Sequence, residues 1–165
     1  MKTIHFVAAA IMGLATAAHA DVSKKDQDFI TKAAAGGMYE VEAGKLAKAK
    51  GTSDGVKSYG DMLVNDHTAA NEELKALATA KGATLPSALP ADKTRKLEKM
   101  GGAKDFDRQF VKQVGQADHK TDIALFEKAS KNADDAELKA FAEKTLPTLK
   151  AHKEHADGLA KSSKR

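Results

Sequence analysis

Apolar side chains recur every three or four residues along most of this chain, which is the spacing of an α-helix with one buried face. Alanine, lysine, leucine and glutamate, which favour helices, are abundant, and only 5% of the residues are aromatic. The pattern predicts four long helices and one short helix. Their approximate bounds are 24–50, 53–82, 104–131 and 134–162 for the long helices and 92–100 for the short one.

Local signals mark the expected ends of these helices. Ser23 is suited to cap the first long helix, Thr52 or Ser53 the second, and a residue within 132–135 the fourth. Two prolines, at the Leu-Pro pairs of 85–86 and 89–90, stop the second helix, because proline cannot continue a helix without losing a hydrogen bond.

The lengths of the connections predict how the helices are arranged. The link between the second and third long helices is about twenty residues, whereas the other two links are tight, as in bundles with one crossover. Two helical hairpins joined in this way form an antiparallel ferritin-like four-helix bundle with one long crossover between helices 2 and 3. The fold class is therefore predicted to be all-α, and no strand pattern or sequence repeat is evident.

The first twenty residues have the features of a secretory signal. Lys2 supplies a positive start, residues 4–17 form an apolar run, and residues 18–20 (Ala-His-Ala) form a small-x-small cleavage site. We expect cleavage between Ala20 and Asp21, which leaves a single domain of residues 21–165. The chain has no cysteine, so neither a disulfide nor a lipid attached to an N-terminal cysteine is expected. The predicted localisation is periplasmic, or secreted.

The charge of the chain indicates little about a partner. The formal net charge is +4, and loss of Lys2 with the signal lowers it to +3. Because acidic and basic residues alternate, we expect no binding to nucleic acid. The basic end, with Lys161, Lys164 and Arg165, predicts at most a weak contact with an anionic surface, and no transmembrane anchor is expected in the mature chain. The partner stays unknown.

Three of the four histidines beyond the signal fall one per long helix, in helices 2, 3 and 4: His67, His119 and His152. Glu40 falls on the apolar face of helix 1. Imidazole together with carboxylate suits Zn, Cu, Fe or Ni. One hypothesis is therefore a mononuclear transition-metal site with Glu40, His67, His119 and His152 as ligands.

Two aspartates precede two of these histidines, and their helical phase is less regular. Asp66 and Asp118 are candidate outer carboxylates that accept hydrogen bonds from imidazole N–H groups, or alternative ligands. On helix 2, Asp66 lies nearer the centre of the apolar arc and His67 nearer its edge. On helix 3, Asp118 and His119 cannot both point fully inward unless the helix turns its face or is irregular near Gly115.

The competing hypothesis is structural. Aspartate and histidine side chains that pair across helices form a buried hydrogen-bond layer, which fixes the register of the helices without any metal. Di-iron chemistry is not favoured, because ferritin-like di-iron proteins repeat Glu-x-x-His and the residues three before the histidines here are Val64, Gln116 and Leu149. No catalytic or cofactor-binding residue is predicted, and an enzyme is the least favoured class.

Several segments together resemble the bacterial family known as domain of unknown function 4142 (DUF4142). The resemblance covers nearly all of the mature chain and rests on residues 29–47, 62–67, 85–86, 106–107, 118–119 with Phe126, and 145–152. It implies a secreted ferritin-like four-helix bundle and brings no established activity.

These observations favour a non-catalytic periplasmic bundle that acts in envelope stress tolerance or as an interaction module. The alternative from another class is a protein that binds or sequesters a transition metal through the Glu/His cluster between its helices.

Overall fold

The computed structural model describes residues 22–162. The predicted signal of residues 1–20 and its cleavage position lie outside the described residues, as do Lys164 and Arg165 of the basic end. Lys161, the third residue of that end, lies in the last turn of the final helix.

The first hairpin consists of helix α1 (Lys24–Lys50) and helix α2 (Asp54–Ala80). Each begins at a serine cap: Ser23 Oγ accepts a hydrogen bond from the Asp26 amide, and Ser53 Oγ accepts one from the Val56 amide, both at 3.2 Å. These bonds satisfy amides that the first helical turn leaves without a partner.

The two helices of this hairpin approach closely at a pair of glycines. A Cβ atom on Gly44 would lie 2.6 Å from the carbonyl oxygen of Gly60, and one on Gly60 would lie 2.7 Å from the carbonyl oxygen of Gly44. Glycine therefore sets the distance between α1 and α2 at this point, because any side chain would push the backbones apart.

The crossover contains a short helix, α3 (Ala91–Gly101), and leads into the third long helix. This helix runs without a break through α4 (Phe106–Phe110), a π-helical segment (Val111–Asp118) and α5 (His119–Asn132). Helix α6 (Ala136–Ser162) completes the bundle and includes Pro147. The predicted uniform helix over 104–131 is thus interrupted by eight residues of wider winding.

Buried apolar residues form two clusters at opposite ends of the bundle. We call one the phenylalanine cluster; it is centred on Phe29, Phe126, Phe141, Leu138 and Leu149. We call the other the tyrosine cluster; it is centred on Tyr39, Tyr59, Leu63, Phe106 and Phe110. Between them lies a polar layer, which consists of Glu40, His67, His119 and His152 and is at most 5% exposed at each residue.

The predicted all-α, ferritin-like bundle with one long crossover is confirmed. Among residues 22–162, no helix combines the length and the apolar character needed to span a membrane.

Candidate metal site

The π-helical segment decides which residues of the third long helix face the core. Asp118 is 8% exposed and His119 is fully buried, so two consecutive residues both lie inside. In a regular α-helix, successive side chains point about 100° apart, and one of the two would lie nearer the edge of the buried face. Of the two conditions under which both residues could point inward, the structure shows the irregularity near Gly115: the wider winding of the π-helical segment turns both Asp118 and His119 toward the core.

Gly115, within this segment, allows a close contact with α6. A Cβ atom at this position would overlap Ala156 Cβ and would lie 3.3 Å from Tyr59 Cε1. The absent side chain lets the π-helical backbone pack directly against α6, and this places His119 opposite His152.

His119 and His152 are hydrogen-bonded neighbours at the centre of the layer. The Nδ1 atom of His119 lies 2.9 Å from the carbonyl oxygen of Val114, and its Nε2 atom lies 3.1 Å from His152 Nδ1. The other nitrogen of His152, Nε2, lies 2.8 Å from Asp66 Oδ2. A continuous polar chain thus runs from half-exposed Asp66 into the core.

His67 and Glu40 complete the layer from the first hairpin. His67 Nδ1 lies 3.2 Å from Glu40 Oε2, and the second carboxyl oxygen, Oε1, lies 3.1 Å from His119 Nδ1. His67 Nε2 is buried and has no hydrogen-bond partner within residues 22–162. Glu40 therefore contacts the Nδ1 atoms of two imidazoles, and one imidazole nitrogen remains unpaired.

The oxygen partners assign the position of the proton on each ring. A carbonyl oxygen only accepts, so His119 carries its proton on Nδ1; by the same argument the Asp66 carboxylate places the proton of His152 on Nε2. His67 Nδ1 lies 3.2 Å from Glu40 Oε2, and with the proton of His67 on this nitrogen, the nitrogens left without a proton are His119 Nε2, His152 Nδ1 and His67 Nε2. Two of these face each other at 3.1 Å with no proton between them when both rings are neutral.

The three rings are close enough for their nitrogens to share one ion. Ring centroids are 5.6 Å apart for His67 and His119, 5.2 Å for His67 and His152, and 5.2 Å for His119 and His152. Each residue offers one nitrogen within 4.8 Å of the nitrogens offered by the other two.

Burial keeps the three imidazoles neutral at neutral pH. It lowers the pKa of His119 to about 4, although the hydrogen bond to the Val114 carbonyl opposes this effect. Burial, then the neighbouring His119 and His152, lowers the pKa of His67 well below its ordinary value. Burial also lowers the pKa of His152, against the effect of Asp66. Neutral imidazole is the form that binds a metal ion.

The pKa values of the carboxyl groups in and beside the layer are shifted upward, whereas those of the imidazoles are lowered. Burial, then the negative charges of Asp122 and Asp118, raises the pKa of Glu40 well above its ordinary value. Burial raises the pKa of Asp122 to about 6, although Lys93 opposes the shift.

Helix α3 lies outside the aspartates that flank the polar layer. Lys96 Nζ lies 2.5 Å from Asp118 Oδ1, and the ammonium groups of Lys93 and Lys96 lie 4.7 and 5.4 Å from the centre of the Tyr39 ring. The long crossover therefore brings positive charge to the aspartates beside the layer.

The predicted site residues come together, with differences in detail. Glu40, His67, His119 and His152 all lie in the layer. The phase within Asp66–His67 is the reverse of our prediction: His67 is buried, and Asp66 is 44% exposed and reaches inward to His152. Asp118 is bound to Lys96 and Gln113 rather than to an imidazole.

Three residues near the layer were not predicted as part of the site. Asp122 lies one turn after His119, and Asn71 lies one turn after His67, so helical spacing from the histidines was the available signal. The third residue is Tyr59, which belongs to the tyrosine cluster. Its ring stacks on exposed His155, with centroids 5.2 Å apart, and lies 6.4 Å from His152.

Comparison with known proteins agrees with this fold. A sequence profile of the family described as domain of unknown function (DUF4142) matches residues 12–159, so the chain belongs to this family. The crystal structure of a DUF305 fragment from Deinococcus radiodurans is similar, with a TM-score of 0.74 at 10% sequence identity, over 87% of this chain and 99% of that fragment. At this identity the likeness shows the fold alone. No curated protein matches the chain.

Proposed function

We propose that this DUF4142 protein binds one divalent transition-metal ion between His67, His119 and His152. The observation that carries the proposal is the contact between His119 Nε2 and His152 Nδ1, at 3.1 Å. Neither nitrogen carries a proton, because the single proton of each neutral ring lies on its other nitrogen, which donates to an oxygen; the contact is therefore repulsive unless a cation lies between the two nitrogens. Two nitrogens bound to Zn²⁺ at about 2.0–2.1 Å with a tetrahedral angle are roughly 3.3 Å apart.

The environment of each imidazole supports the proposal. A histidine that ligates a metal almost always donates its other N–H group to a carboxylate or a backbone carbonyl, which fixes the tautomer. Here the Asp66 carboxylate and the Val114 carbonyl accept such hydrogen bonds, and Glu40 Oε2 lies 3.2 Å from His67 Nδ1. Glu40 therefore orients two imidazoles in this proposal, whereas the sequence indicated that it would be a ligand.

Charge balance is also available for a buried divalent ion. Burial raises the pKa of Glu40, which can release a proton when a cation arrives, and the carboxyl groups of Asp122 and Asp66 lie beside and at the end of the layer. Carboxylates around a buried cation offset the cost of removing it from water. Imidazole ligands suit Zn(II), Cu(II), Fe(II) and Ni(II), and Cu(II) has the highest intrinsic affinity for a nitrogen site.

The competing proposal is that the layer has only a structural role in an envelope stress or interaction module. An additional proton shared by His119 and His152 would also remove the repulsion, and buried polar networks fix helix register. The predicted signal would deliver either kind of protein to the periplasm or the exterior.

Calorimetric titration separates the two proposals. Metal-free mature protein is titrated with Zn(II), Cu(II), Fe(II) and Ni(II), and the titration is repeated with His67→Ala and His152→Ala. Metal binding predicts one ion per chain in the wild type and loss of binding in both variants. The matched control is His155→Ala, because His155 is exposed, lies on the same helix as His152 and should leave binding unchanged.

Circular dichroism of each variant shows whether the helices persist. If the wild type binds no ion tightly while His67→Ala and His152→Ala only lower the melting temperature, the layer is structural and the metal proposal is wrong.

A further inference from the structure

A wide cavity opens at the end of the bundle that holds the tyrosine cluster, and no residue of the polar layer lines it. Its volume is about 700 Å³. The wall is formed by the start of α2, by the third long helix and by the last turn of α6. Pockets that bind small organic molecules have volumes of about 300–1,000 Å³. The cavity therefore has the size of a binding site for an organic molecule.

The apolar part of this wall is aliphatic. Val56 and Val111 are buried and belong to the tyrosine cluster, and Leu159 packs against the same cluster. Ala160 follows in the last turn of α6. Within residues 22–162, no phenylalanine, tyrosine or histidine lines this cavity. The wall can therefore bury a hydrocarbon chain, but it offers no ring on which a nucleobase or another aromatic ligand could stack.

The polar groups of the wall already have partners within the protein. Asp107 Oδ1 accepts a hydrogen bond from the Thr52 amide at 2.9 Å, and Asp107 Oδ2 accepts one from the Ser53 amide at 2.8 Å. Burial acts to raise the pKa of Asp107, but these hydrogen bonds outweigh it and lower the pKa. The side-chain amide of Gln116 donates to Asp157 Oδ1 at 2.7 Å. The wall therefore suits neither a cationic ligand nor one that has many hydroxyl groups.

Two basic residues of the third long helix also line the cavity, and one of them is unpaired. Arg108 Nε lies 2.9 Å from Asp105 Oδ2. Lys112 lies one turn later, in the π-helical segment, and is exposed. Its ammonium group has no ion-pair or hydrogen-bond partner in the part of the chain that the structure describes. An unpaired ammonium group beside an aliphatic wall favours a ligand with one negative charge.

We propose that this cavity binds a free fatty acid, with its hydrocarbon tail along Val56, Val111 and Leu159 and its carboxylate beside Lys112. The aliphatic wall accounts for the tail, and the unpaired ammonium group accounts for the single negative charge. The tail exchanges contact with water for contact with the wall, which is the main source of affinity. The inference does not depend on the proposed metal site, because the cavity and the polar layer have no residue in common.

The length of the tail tests the aliphatic wall. Delipidated, metal-free mature protein is titrated by calorimetry with hexanoate, octanoate and decanoate, which differ in steps of two CH₂ groups. Each fully buried CH₂ group should raise the affinity roughly fourfold, so decanoate should bind at least tenfold more tightly than hexanoate. Decan-1-ol has the tail of decanoate without its charge and should bind more weakly than decanoate.

Lys112→Ala tests the contact with the carboxylate. It should weaken the binding of decanoate about three- to fivefold, as expected for an exposed ion pair, and leave the binding of decan-1-ol unchanged. The matched control is Lys120→Ala, which removes the same charge from the same helix. Lys120 is also exposed and lies outside the cavity wall, so this variant should bind both ligands as the wild type does.

Ala160→Leu tests the location of the tail by filling the cavity. Ala160 lies in the last turn of α6, so a larger side chain enters the cavity with little helix beyond it to displace. The variant should bind both decanoate and decan-1-ol at least tenfold more weakly than the wild type. Ala151→Leu is the control, because Ala151 is exposed on the same helix and lies outside the cavity wall. Circular dichroism should show the same helix content in all four variants.

Four results would each overturn the inference. The first is a wild type that does not bind decanoate, or binds it no more tightly than hexanoate or decan-1-ol. The second is equal affinity of Lys112→Ala and Lys120→Ala for decanoate, and the third is equal affinity of Ala160→Leu and Ala151→Leu. The fourth is tighter binding of a lysophospholipid with a decanoyl chain than of decanoate, which would assign the cavity to a phospholipid instead.

Discussion

In the phenylalanine cluster, the rings of Phe29 and Phe126 meet edge to face at 79° with centroids 5.2 Å apart; in the polar layer, the rings of His119 and His152 meet at 70°, also 5.2 Å apart. The packing is nearly the same, and the chemistry differs. The phenylalanine rings gain free energy from burial alone. The imidazole rings carry nitrogens that need a proton or a cation when they are buried. The phenylalanine cluster therefore stabilises the fold, whereas burying the imidazoles of the polar layer costs free energy that binding a proton or a cation can offset.

The largest expected effect comes from removing a ring from the apolar region. Phe29→Ala should lower the free energy of unfolding by about 3–5 kcal/mol, because the lost ring leaves a cavity among packed side chains. Urea denaturation followed by circular dichroism measures it. Since Phe29 does not contact the polar layer, the number of metal ions bound per chain should stay unchanged; a lower number would mean that the two regions are coupled.

The cost of burying imidazole should appear as a pH dependence in the metal-free protein. Burial lowers the pKa of His119 to about 4, so between roughly pH 6.5 and pH 4 the unfolded state binds the proton and the folded state does not. The free energy of unfolding therefore falls as the pH drops from about 6.5 to 4, because folding then requires His119 to give up its proton. Between pH 7 and pH 4, the wild type should lose about 3 kcal/mol relative to His119→Gln.

Comparing the wild type with His119→Gln removes the pH effects of other groups that both proteins contain. Burial raises the pKa of Glu40, which adds stability as the pH falls, but Glu40 is present in the wild type and in His119→Gln. His155→Ala is the control and should keep the pH dependence of the wild type, since His155 is exposed. Parallel curves for the wild type and His119→Gln would show that His119 pays no cost for burial.

A smaller effect tests the backbone that brings the layer together. Gly115→Ala should lower the free energy of unfolding by about 1–3 kcal/mol, because the added Cβ overlaps Ala156 Cβ and the π-helical segment must shift. Gly158→Ala is the matched control in α6, where an added Cβ has no neighbour within 4 Å. It should raise the free energy of unfolding by up to about 1 kcal/mol through helix propensity. Equal melting temperatures for the two variants would contradict the close contact at Gly115.

Much of the fold could be predicted because helical signals are local. Ser23 and Ser53 cap helices through amides three residues away, and the prolines near residues 86 and 90 stop a helix wherever it packs. The unequal connections then predicted the bundle. The gathering of Glu40, His67, His119 and His152 also followed from helical phase, since each lies on or near the apolar face of its helix.

The sequence by itself determined the four long helices, their antiparallel order and the residue types that meet in the core. Only the tertiary structure decided that the third long helix widens over Val111–Asp118 and that His67 rather than Asp66 is buried. It also decided which nitrogen of each imidazole carries no proton. These features depend on partners far apart in the chain: Asp66 lies 86 residues from His152, and Ala156 packs on Gly115. Helical periodicity fixes the direction of a side chain to within a fraction of a turn, whereas the chemistry of a buried imidazole depends on which oxygen lies within about 3 Å of each nitrogen.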